Sequence, residues 1–404
     1  MIRKIKNIGH LLEAELASLI YSRGRISIPT IGVTGTDGKT TTSSLISHIL
    51  KEAGYNPAMV TTVAAQIGDK TYDTGLHTTT PSAFALQKYI KKAADYGCDF
   101  LVLEITSHAL DQNRTRNIDF KIGVLTNITH EHLDYHGTYE KYVKVKSKLF
   151  KKAEISILNL DDDSYELIKS VLSGKKIYTY SLKKKADFTA KSIGFKEPSE
   201  FEFNSENFLA AVSAAKVLGI EDSKIKAALK TFKFPSGRQE IVYQGDFKVI
   251  VDFAHTPNSF KKVLSALKKT TNGRLIHVFG SAGQRDKSKR PLMGKVAGEI
   301  DDVIILTSED PRSENVDVIN KQIRSEMQDY KGEIFELADR QIAINFAIQK
   351  AQKGDTVVLS GKGHEKSMNL GRGETSWSEH EAVKIALIER DKSITKTILD
   401  AVPA

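Results

Sequence analysis

Six consecutive residues, Gly35-Thr36-Asp37-Gly38-Lys39-Thr40, have the types and spacing to hold a phosphate chain. The glycines let backbone N–H groups close on an anion, the lysine neutralises it, and the threonine hydroxyl stands where a phosphate-bound Mg²⁺ needs an oxygen. The broad phosphate-loop pattern carries one more glycine at position 33, where this chain has Val33. Glu104 ends an apolar run, and a carboxylate at such a strand end suits a metal ion. The stretch 127–136, Asn-Ile-Thr-His-Glu-His-Leu-Asp-Tyr-His, invites a zinc reading, but it fails the HExxH pattern because position 134 is Asp. No cysteine lies near it, so a single imidazole ligand to Mg²⁺ or Mn²⁺ fits better than a zinc cage. Beyond it, Lys144, Lys146 and Lys148 alternate in the manner of an ordinary solvated face.

These residues need elements to position them. An apolar run over 26–33 reads as a buried strand that leads through the glycine loop into a helix over 40–54. Runs at 100–105, 121–126 and 154–160 repeat the strand pattern between helix-like or loop segments, which predicts a parallel sheet with crossover helices. Phe234-Pro235-Ser236-Gly237 suits a linker, and strands at 247–251, 274–279, 302–306 and 356–359 follow it. The expected fold class is α/β: a central phosphate-loop parallel-sheet domain of ATPase type over 31–234, then a smaller Rossmann-like domain over 235–404. Ahead of both, Ile8, Leu11, Leu12, Leu16, Leu19 and Ile20 recur at helical spacing. This predicts an amphipathic helix in the first 23 or so residues, within a lead-in over 1–30, packed on the main body. Attachment to a membrane surface through its basic start is the alternative. The polar stretch 183–202 has no clear pattern.

Composition narrows the classes. The chain has 404 residues, a net charge of +9 and 40% hydrophobic residues, which excludes disorder. A lone cysteine, Cys98, excludes an internal disulfide, and no apolar stretch reaches the roughly 20 residues of a membrane span. The basic start (Arg3, Lys4, Lys6) runs into His10, Glu13 and Glu15 and so is no signal peptide, which predicts a soluble, cytoplasmic protein. The positive excess favours anionic ligands. Scattered lysines without an aromatic-basic motif give no sign of nucleic acid binding.

Further motifs join the glycine loop. They are His77-Thr78-Thr79-Thr80-Pro81; 104–110 with Gln112 and Arg114; 127–136 followed by 142–150; Phe203-Asn204-Ser205-Glu206-Asn207; and Gly237-Arg238. Later come 252–257, 285–291, Glu309-Asp310-Pro311-Arg312 and Gly361-Lys362-Gly363-His364-Glu365. As an ordered set these resemble the Mur ligase family, most closely the MurE branch, which adds the third amino acid to a UDP-linked muramyl dipeptide in cell-wall synthesis. The resemblance implies an ATP-dependent ligase: a substrate carboxylate takes the γ-phosphate and the acyl phosphate is captured by an amine. It implies Lys39, Glu104, His132 and Lys146 as the catalytic set, and Gly35, Thr36, Asp37, Gly38, Lys39, Thr40 and Thr41 around the ATP phosphates. Thr40 and Glu104 would hold the ATP-linked Mg²⁺ and His132 a second ion, Mn²⁺ being possible. Lys146 falls on the position carbamylated in the family, which replaces its solvated-face reading; Lys144 and Lys148 keep theirs. Asn204 and Asn207 match positions near adenine, Arg238 and Asp252 contacts to phosphate and ribose. Thr79, Thr80, Thr106, Gln112 and Arg114 match the acceptor site, Arg114 being equally readable as a salt-bridge partner. His255, Arg312, Gly361 and Glu365 match substrate positions, the last three the amino-acid pocket.

The chain departs from the pattern in three places. Where diaminopimelate enzymes read Asp-Asn-Pro-Arg, Asp310 replaces the amide; its extra negative charge would favour a terminal amine such as that of lysine over a second carboxylate, and the choice of added amino acid stays open. About 30 residues ahead of the loop are too few for the roughly hundred-residue domain that grips UDP in this branch, so a ligase without that domain is expected. The connection from Asp187 to Phe203 is short and lacks the usual glycine. The expected partners are an amino acid and a muramyl-peptide-like acceptor, for a monomer without stable membrane insertion that could take a partner subunit for acceptor binding. Two other readings stand beside this one: a ligase of the same superfamily with a non-muramyl acceptor, of folylpolyglutamate or cyanophycin type, and a non-catalytic ATP-binding subunit.

Overall fold

Buried aliphatic runs become the strands of two separate sheets. The computed structural model describes residues 2–21, 28–75, 79–129, 131–193 and 204–401. The chain divides into two units, Met1–Pro235 and Ser236–Ala404. In the first, the strands are β1 (Thr30–Thr34), β2 (Pro57–Val60), β3 (Ala65–Ile67), β4 (Lys70–Tyr72), β5 (Phe100–Ile105), β6 (Phe120–Leu125), β7 (Ile155–Asn159) and β8 (Lys176–Tyr180). They form one sheet in the order β4-β3-β2-β5-β1-β6-β7-β8, parallel except for β3 and β4, which extend one edge antiparallel.

Side chains alternate between the faces of this sheet, and helices cover both. Leu101, Leu103 and Ile105 pack with Leu86 and Ile90 of the helix Ala83–Asp95 and with Leu149 and Phe150 of the helix Tyr139–Lys152. Ile31, Val33 and Val102 face the other way, onto Leu45 and Ile49 of the helix Lys39–Glu52 and Phe208 of the helix Ser205–Val217. Val33 is fully buried in β1, opposite Glu104 on β5 and Val124 on β6. A side chain is needed there for the core, which accounts for the missing glycine. The expected strand over 26–33 is realised as Thr30–Thr34; residues 26 and 27 lie outside the described residues, as do 194–202 of the polar stretch 183–202.

The second unit has β9 (Glu240–Gln244), β10 (Lys248–Asp252), β11 (Leu275–Phe279), β12 (Val303–Leu306), β13 (Glu333–Glu336) and β14 (Thr356–Ser360), ordered β13-β12-β11-β14-β10-β9 with β9 alone antiparallel. A hairpin of β15 (Ser367–Asn369) and β16 (Glu374–Ser376) stands apart. The four strands expected from sequence are the central ones. Sequence reading missed β9 and β13, half-exposed edges without a continuous apolar run, and the short hairpin strands β15 and β16.

The N-terminal helix, Ile2–Tyr21, forms as expected but docks by the opposite face. Ala14 and Ala17 are buried against Ala83, and Glu15 accepts hydrogen bonds from Arg116 Nε at 2.8 Å and Asn117 Nδ2 at 2.7 Å. Ile8, Leu12, Leu16, Leu19 and Ile20 stay 51–65% exposed, so the aliphatic stripe is not the packed face. Small alanines let two helices approach closely, which large aliphatics on that face would prevent. Among the described residues no helix is long and apolar enough to cross a membrane.

Phe208 is fully buried, edge-on to Phe232 at 5.7 Å between ring centroids. Phe208→Ala should cost about 3–5 kcal/mol of stability, read by denaturant unfolding of the purified chain.

Candidate active site

Gly35 to Gly38 cross from the end of β1 to the helix Lys39–Glu52, and the end of β6 holds them down. Thr36 N–H donates to Asn127 O at 2.7 Å, Asp37 N–H to Asn127 Oδ1 at 3.0 Å, and Thr126 Oγ1 to Asp37 O at 2.7 Å. A Cβ on Gly35 would lie 1.8 Å from Thr126 Oγ1, so only glycine permits this approach. Gly38 has φ +78°, and a Cβ there would lie 1.9 Å from Asn207 Oδ1. No side chain caps the helix that Gly38 opens, which leaves its first N–H groups and dipole available to an anion. Lys39 Nζ lies over the same loop, donating to Thr36 O at 2.7 Å. Asn207 Nδ2 donates to Asn204 Oδ1 at 2.8 Å, and the core contacts of their helix bring both to the loop. Thr41 is buried in the first turn beyond.

Glu104 is buried at the end of β5, and its ligands are hydroxyls and an amide. Thr40 Oγ1 and Thr62 N–H donate to Oε2 at 3.0 Å each, and Thr62 Oγ1 to Oε1 at 3.0 Å. Among the described residues no three His, Cys, Asp or Glu side chains group closely enough to hold a metal ion by themselves. A buried carboxylate beside a threonine hydroxyl at a phosphate loop instead fits Mg²⁺, which takes hard oxygens from one or two protein groups and completes its shell with phosphates and water. Thr62 was invisible to sequence reading because it belongs to no motif; its signal is its place two residues beyond β2.

Tyr142 gathers the remaining groups. Its hydroxyl lies 3.2 Å from Thr36 Oγ1, Lys146 Nζ stands 4.7 Å above its ring, and the His132 ring is 6.3 Å away. His132 has φ +56°, lies 3.7 Å from the buried Glu131 carboxylate and meets His108 edge-on at 4.9 Å. Lys146 is fully buried and donates to Gly35 O at 2.7 Å. Burial first, and the nearby Lys39 charge second, hold its ammonium well below the usual lysine range despite Glu131, Asp37 and Asp162. Lys144 is exposed as expected. Lys148 is not simply solvated, because it lies 3.6 Å from Asp111 Oδ1, brought there by the short helix Ser107–Asp111. His130 lies outside the described residues.

Four of the five acceptor candidates form one network. Thr80 Oγ1 donates to Glu104 O at 3.1 Å and accepts from Thr106 N–H at 3.0 Å, with Thr106 Oγ1 at 3.3 Å. Arg114 Nη1 donates to Thr80 O at 2.7 Å, and Nε and Nη2 to Gln112 Oε1 at 3.0 and 2.6 Å. Thr79 is half-buried beside them, while His77 and Thr78 lie outside the described residues.

In the second unit Asp252 is buried at the end of β10, accepting from Ala254 N–H at 2.7 Å and Gln239 N–H at 2.9 Å. Burial pushes its carboxyl up and the Arg238 guanidinium opposes this; that guanidinium lies over the Phe253 ring at 4.4 Å. His255 Nδ1 is 2.8 Å from Phe253 O. Arg312 has φ +51° and donates through Nη1 to Gly283 O. Gly361 has φ +101°, and a Cβ there would lie 2.9 Å from the Glu309 carboxyl. Lys362, fully buried, donates to Asp310 Oδ1 at 2.9 Å and Glu365 Oε2 at 2.5 Å. Asp310 also accepts from Asn369 N–H at 3.0 Å. Its charge is thus turned inward and paired, which removes the ground for expecting it to draw a terminal amine.

Residues 33–219 match the model of the Mur ligase middle domain and residues 237–363 that of the Mur ligase, glutamate ligase domain. The chain therefore belongs to the Mur ligase family, the ATP-dependent ligases that form amide bonds, and is an enzyme of that class. It is 37% identical over 397 residues to UDP-N-acetylmuramoyl-L-alanyl-D-glutamate–2,6-diaminopimelate ligase 1 of Clostridium acetobutylicum, spanning 93% of this chain and 81% of that protein. The ligase of Caldanaerobacter subterraneus subsp. tengcongensis with the same name, without the numeral, is 38% identical over 94% of this chain and 82% of its own length. A solved structure of such a diaminopimelate ligase aligns with TM-score 0.62 and 31% identity over 93% of this chain and 81% of that one. Folylpolyglutamate synthase of Mycobacterium tuberculosis aligns with TM-score 0.70 but 15% identity, over 87% and 92% of the two chains, which shows the shared fold alone.

Thr62→Val removes one of the three donors to the Glu104 carboxylate while keeping the side-chain shape. It should cost about 1.5–3 kcal/mol, the worth of a hydrogen bond to a charged group, measured by thermal or denaturant unfolding.

Proposed function

We propose that this chain uses ATP to join 2,6-diaminopimelate to the D-glutamate carboxylate of a muramyl dipeptide. The carrying observation is the pairing of the buried Glu104 carboxylate with Thr40 at the mouth of the glycine loop. Phosphoryl transfer needs positioning and charge neutralisation more than covalent help. Lys39 faces the β- and γ-phosphates, Gly35 to Thr41 cradle the chain, and Asn204 and Asn207 lie toward adenine. Thr40 and Glu104 would hold an ATP-linked Mg²⁺ and His132 a second ion, which would supply charge to neutralise the phosphates. The acceptor carboxylate attacks the γ-phosphorus and ADP leaves; the diaminopimelate amine then attacks the acyl carbon and gives up a proton, the acyl C–O bond breaks, and phosphate leaves carrying the former carboxylate oxygen. Thr79, Thr80, Thr106, Gln112 and Arg114 orient the acceptor, while Arg238 and Asp252 serve the nucleotide's phosphate and ribose.

Lys146 adds to this site by becoming a carbamate. A lysine held below its usual range carries more neutral amine, which is the form that adds CO₂ and then loses a proton to leave an anion. The names of the relatives support diaminopimelate over lysine, and the bond from Lys362 to Asp310 engages the carboxylate that would otherwise draw a terminal amine. With Asp310 and Glu365 sharing the Lys362 charge, Arg312 is left to clamp a distal carboxylate, and Gly361 gives the backbone close approach.

Release of ADP, measured while crossing diaminopimelate and lysine with UDP-linked and UDP-free muramyl dipeptides, tests the reading. Turnover should require diaminopimelate; faster turnover with lysine would sink the assignment. Lys39→Ala should abolish turnover with the fold intact by circular dichroism. Intact mass of the active enzyme should show one added CO₂ on Lys146, and Lys146→Ala should regain part of its activity with short carboxylic acids. An unmodified Lys146 in fully active enzyme would count against the carbamate.

A further inference from the structure

The loops 308–312 and 360–365 carry the residues proposed for the amino-acid pocket, and each leaves the sheet from a different strand. Ser308 lies just beyond β12 and Ser360 ends β14, with β11 between these two strands. No backbone ladder joins the two strand ends. One side chain does: Arg340 Nη1 donates to Ser308 O at 3.1 Å and Nη2 to Ser360 O at 2.9 Å. Its third edge is taken by Glu379, with Nε to Oε1 at 2.6 Å, and Trp377 Nε1 donates to the same oxygen at 3.0 Å. Arg340 and Glu379 are both buried.

The place of this arginine argues that it is there for the two carbonyls. It occupies the first position of the helix Arg340–Lys350, where the helix dipole disfavours a cation. A buried ion pair by itself is weak grounds for stability, since its desolvation offsets much of its attraction. A planar guanidinium, however, presents N–H groups at fixed angles, so one group can tie two backbone carbonyls and a carboxylate at once. The Ser360 end is fixed further by its hydroxyl, 2.9 Å from His277 Nε2, whose Nδ1 is 2.7 Å from Asp301 Oδ2. Four residues beyond Ser308 comes Arg312; one beyond Ser360 comes Gly361.

We propose that Arg340 is a positioning residue for amino-acid selection: by tying Ser308 O to Ser360 O at the loop bases, while Lys362 bonds Asp310 between the loops, it sets the spacing between Arg312 on one loop and Gly361 and Glu365 on the other. This rests on the pocket assigned above. Two variants of the full chain test it, with steady-state kinetics in ATP, UDP-linked muramyl dipeptide and diaminopimelate. Arg340→Lys keeps the charge beside Glu379 but cannot span both carbonyls. Arg340→Met with Glu379→Gln removes both buried charges together. Each should raise KM for diaminopimelate about tenfold, the worth of one or two hydrogen bonds to a charged group, and leave KM for ATP within about twofold. A merely structural arginine would lower the melting temperature and reduce kcat with the folded fraction, leaving the diaminopimelate KM unchanged; that outcome overturns the proposal. Should the double variant fail to fold, Arg340→Lys decides alone. Arg312→Ala separates the two readings: if it leaves the diaminopimelate KM unchanged, the pocket assignment fails. If it raises that KM while Arg340→Lys does not, the pocket stands and the role of Arg340 falls.

Discussion

A carboxylate buried at the end of a sheet strand needs donors, and Glu104 obtains them from segments far apart in sequence. Thr40 at the start of the phosphate-loop helix and Thr62 beyond β2 bond its oxygens, while its backbone carbonyl takes Thr80, which in turn holds Thr106 and accepts Arg114 at its own carbonyl. The penalty for burying this group unsatisfied is what draws the loop helix, the end of β2 and the acceptor candidates to one point. The register Val33 opposite Glu104 then places that point next to the turn at Gly35.

Sequence reading missed β2, β3, β4 and β8 in the first unit, but the four adjacent strands β5, β1, β6 and β7 were legible as continuous apolar runs, with residues 100–105 assigned to the residue. The edges β9 and β13 were not, since a half-exposed strand has no such run. The N-terminal helix shows the limit of periodicity. Its large aliphatic residues mark an amphipathic helix correctly, yet the face that packs is the one with Ala14 and Ala17. Periodicity reports which positions share a side; it does not report which side a neighbouring helix can approach.

Motif residues were the most legible part of the site, because glycines with positive φ and a lysine at a fixed offset leave a local imprint. What escaped was the matrix that holds them. Thr62, Tyr142 and Arg340 act through contacts made 42, 106 and 32 residues away in sequence, to Glu104, Thr36 and Ser308 respectively, and no local pattern encodes such a pairing. Asp310 shows the reverse: a charge difference in a motif bears on pocket chemistry only through its pairing in space, and here that carboxylate bonds Lys362.

Two fully buried lysines sharpen that point. Lys362 donates to two carboxylates, Asp310 and Glu365, and so ties the loop 360–365 to the loop 308–312. Among the described residues Lys146 bonds a carbonyl oxygen and lies over an aromatic face, with the Lys39 charge working against its own. The same residue type at the same burial thus bonds carboxylates in one place, while in the other burial and a like charge push it toward the neutral amine. The difference lies in what surrounds each nitrogen, and in the second case that surrounding gives the amine nucleophilic character beside the phosphate loop.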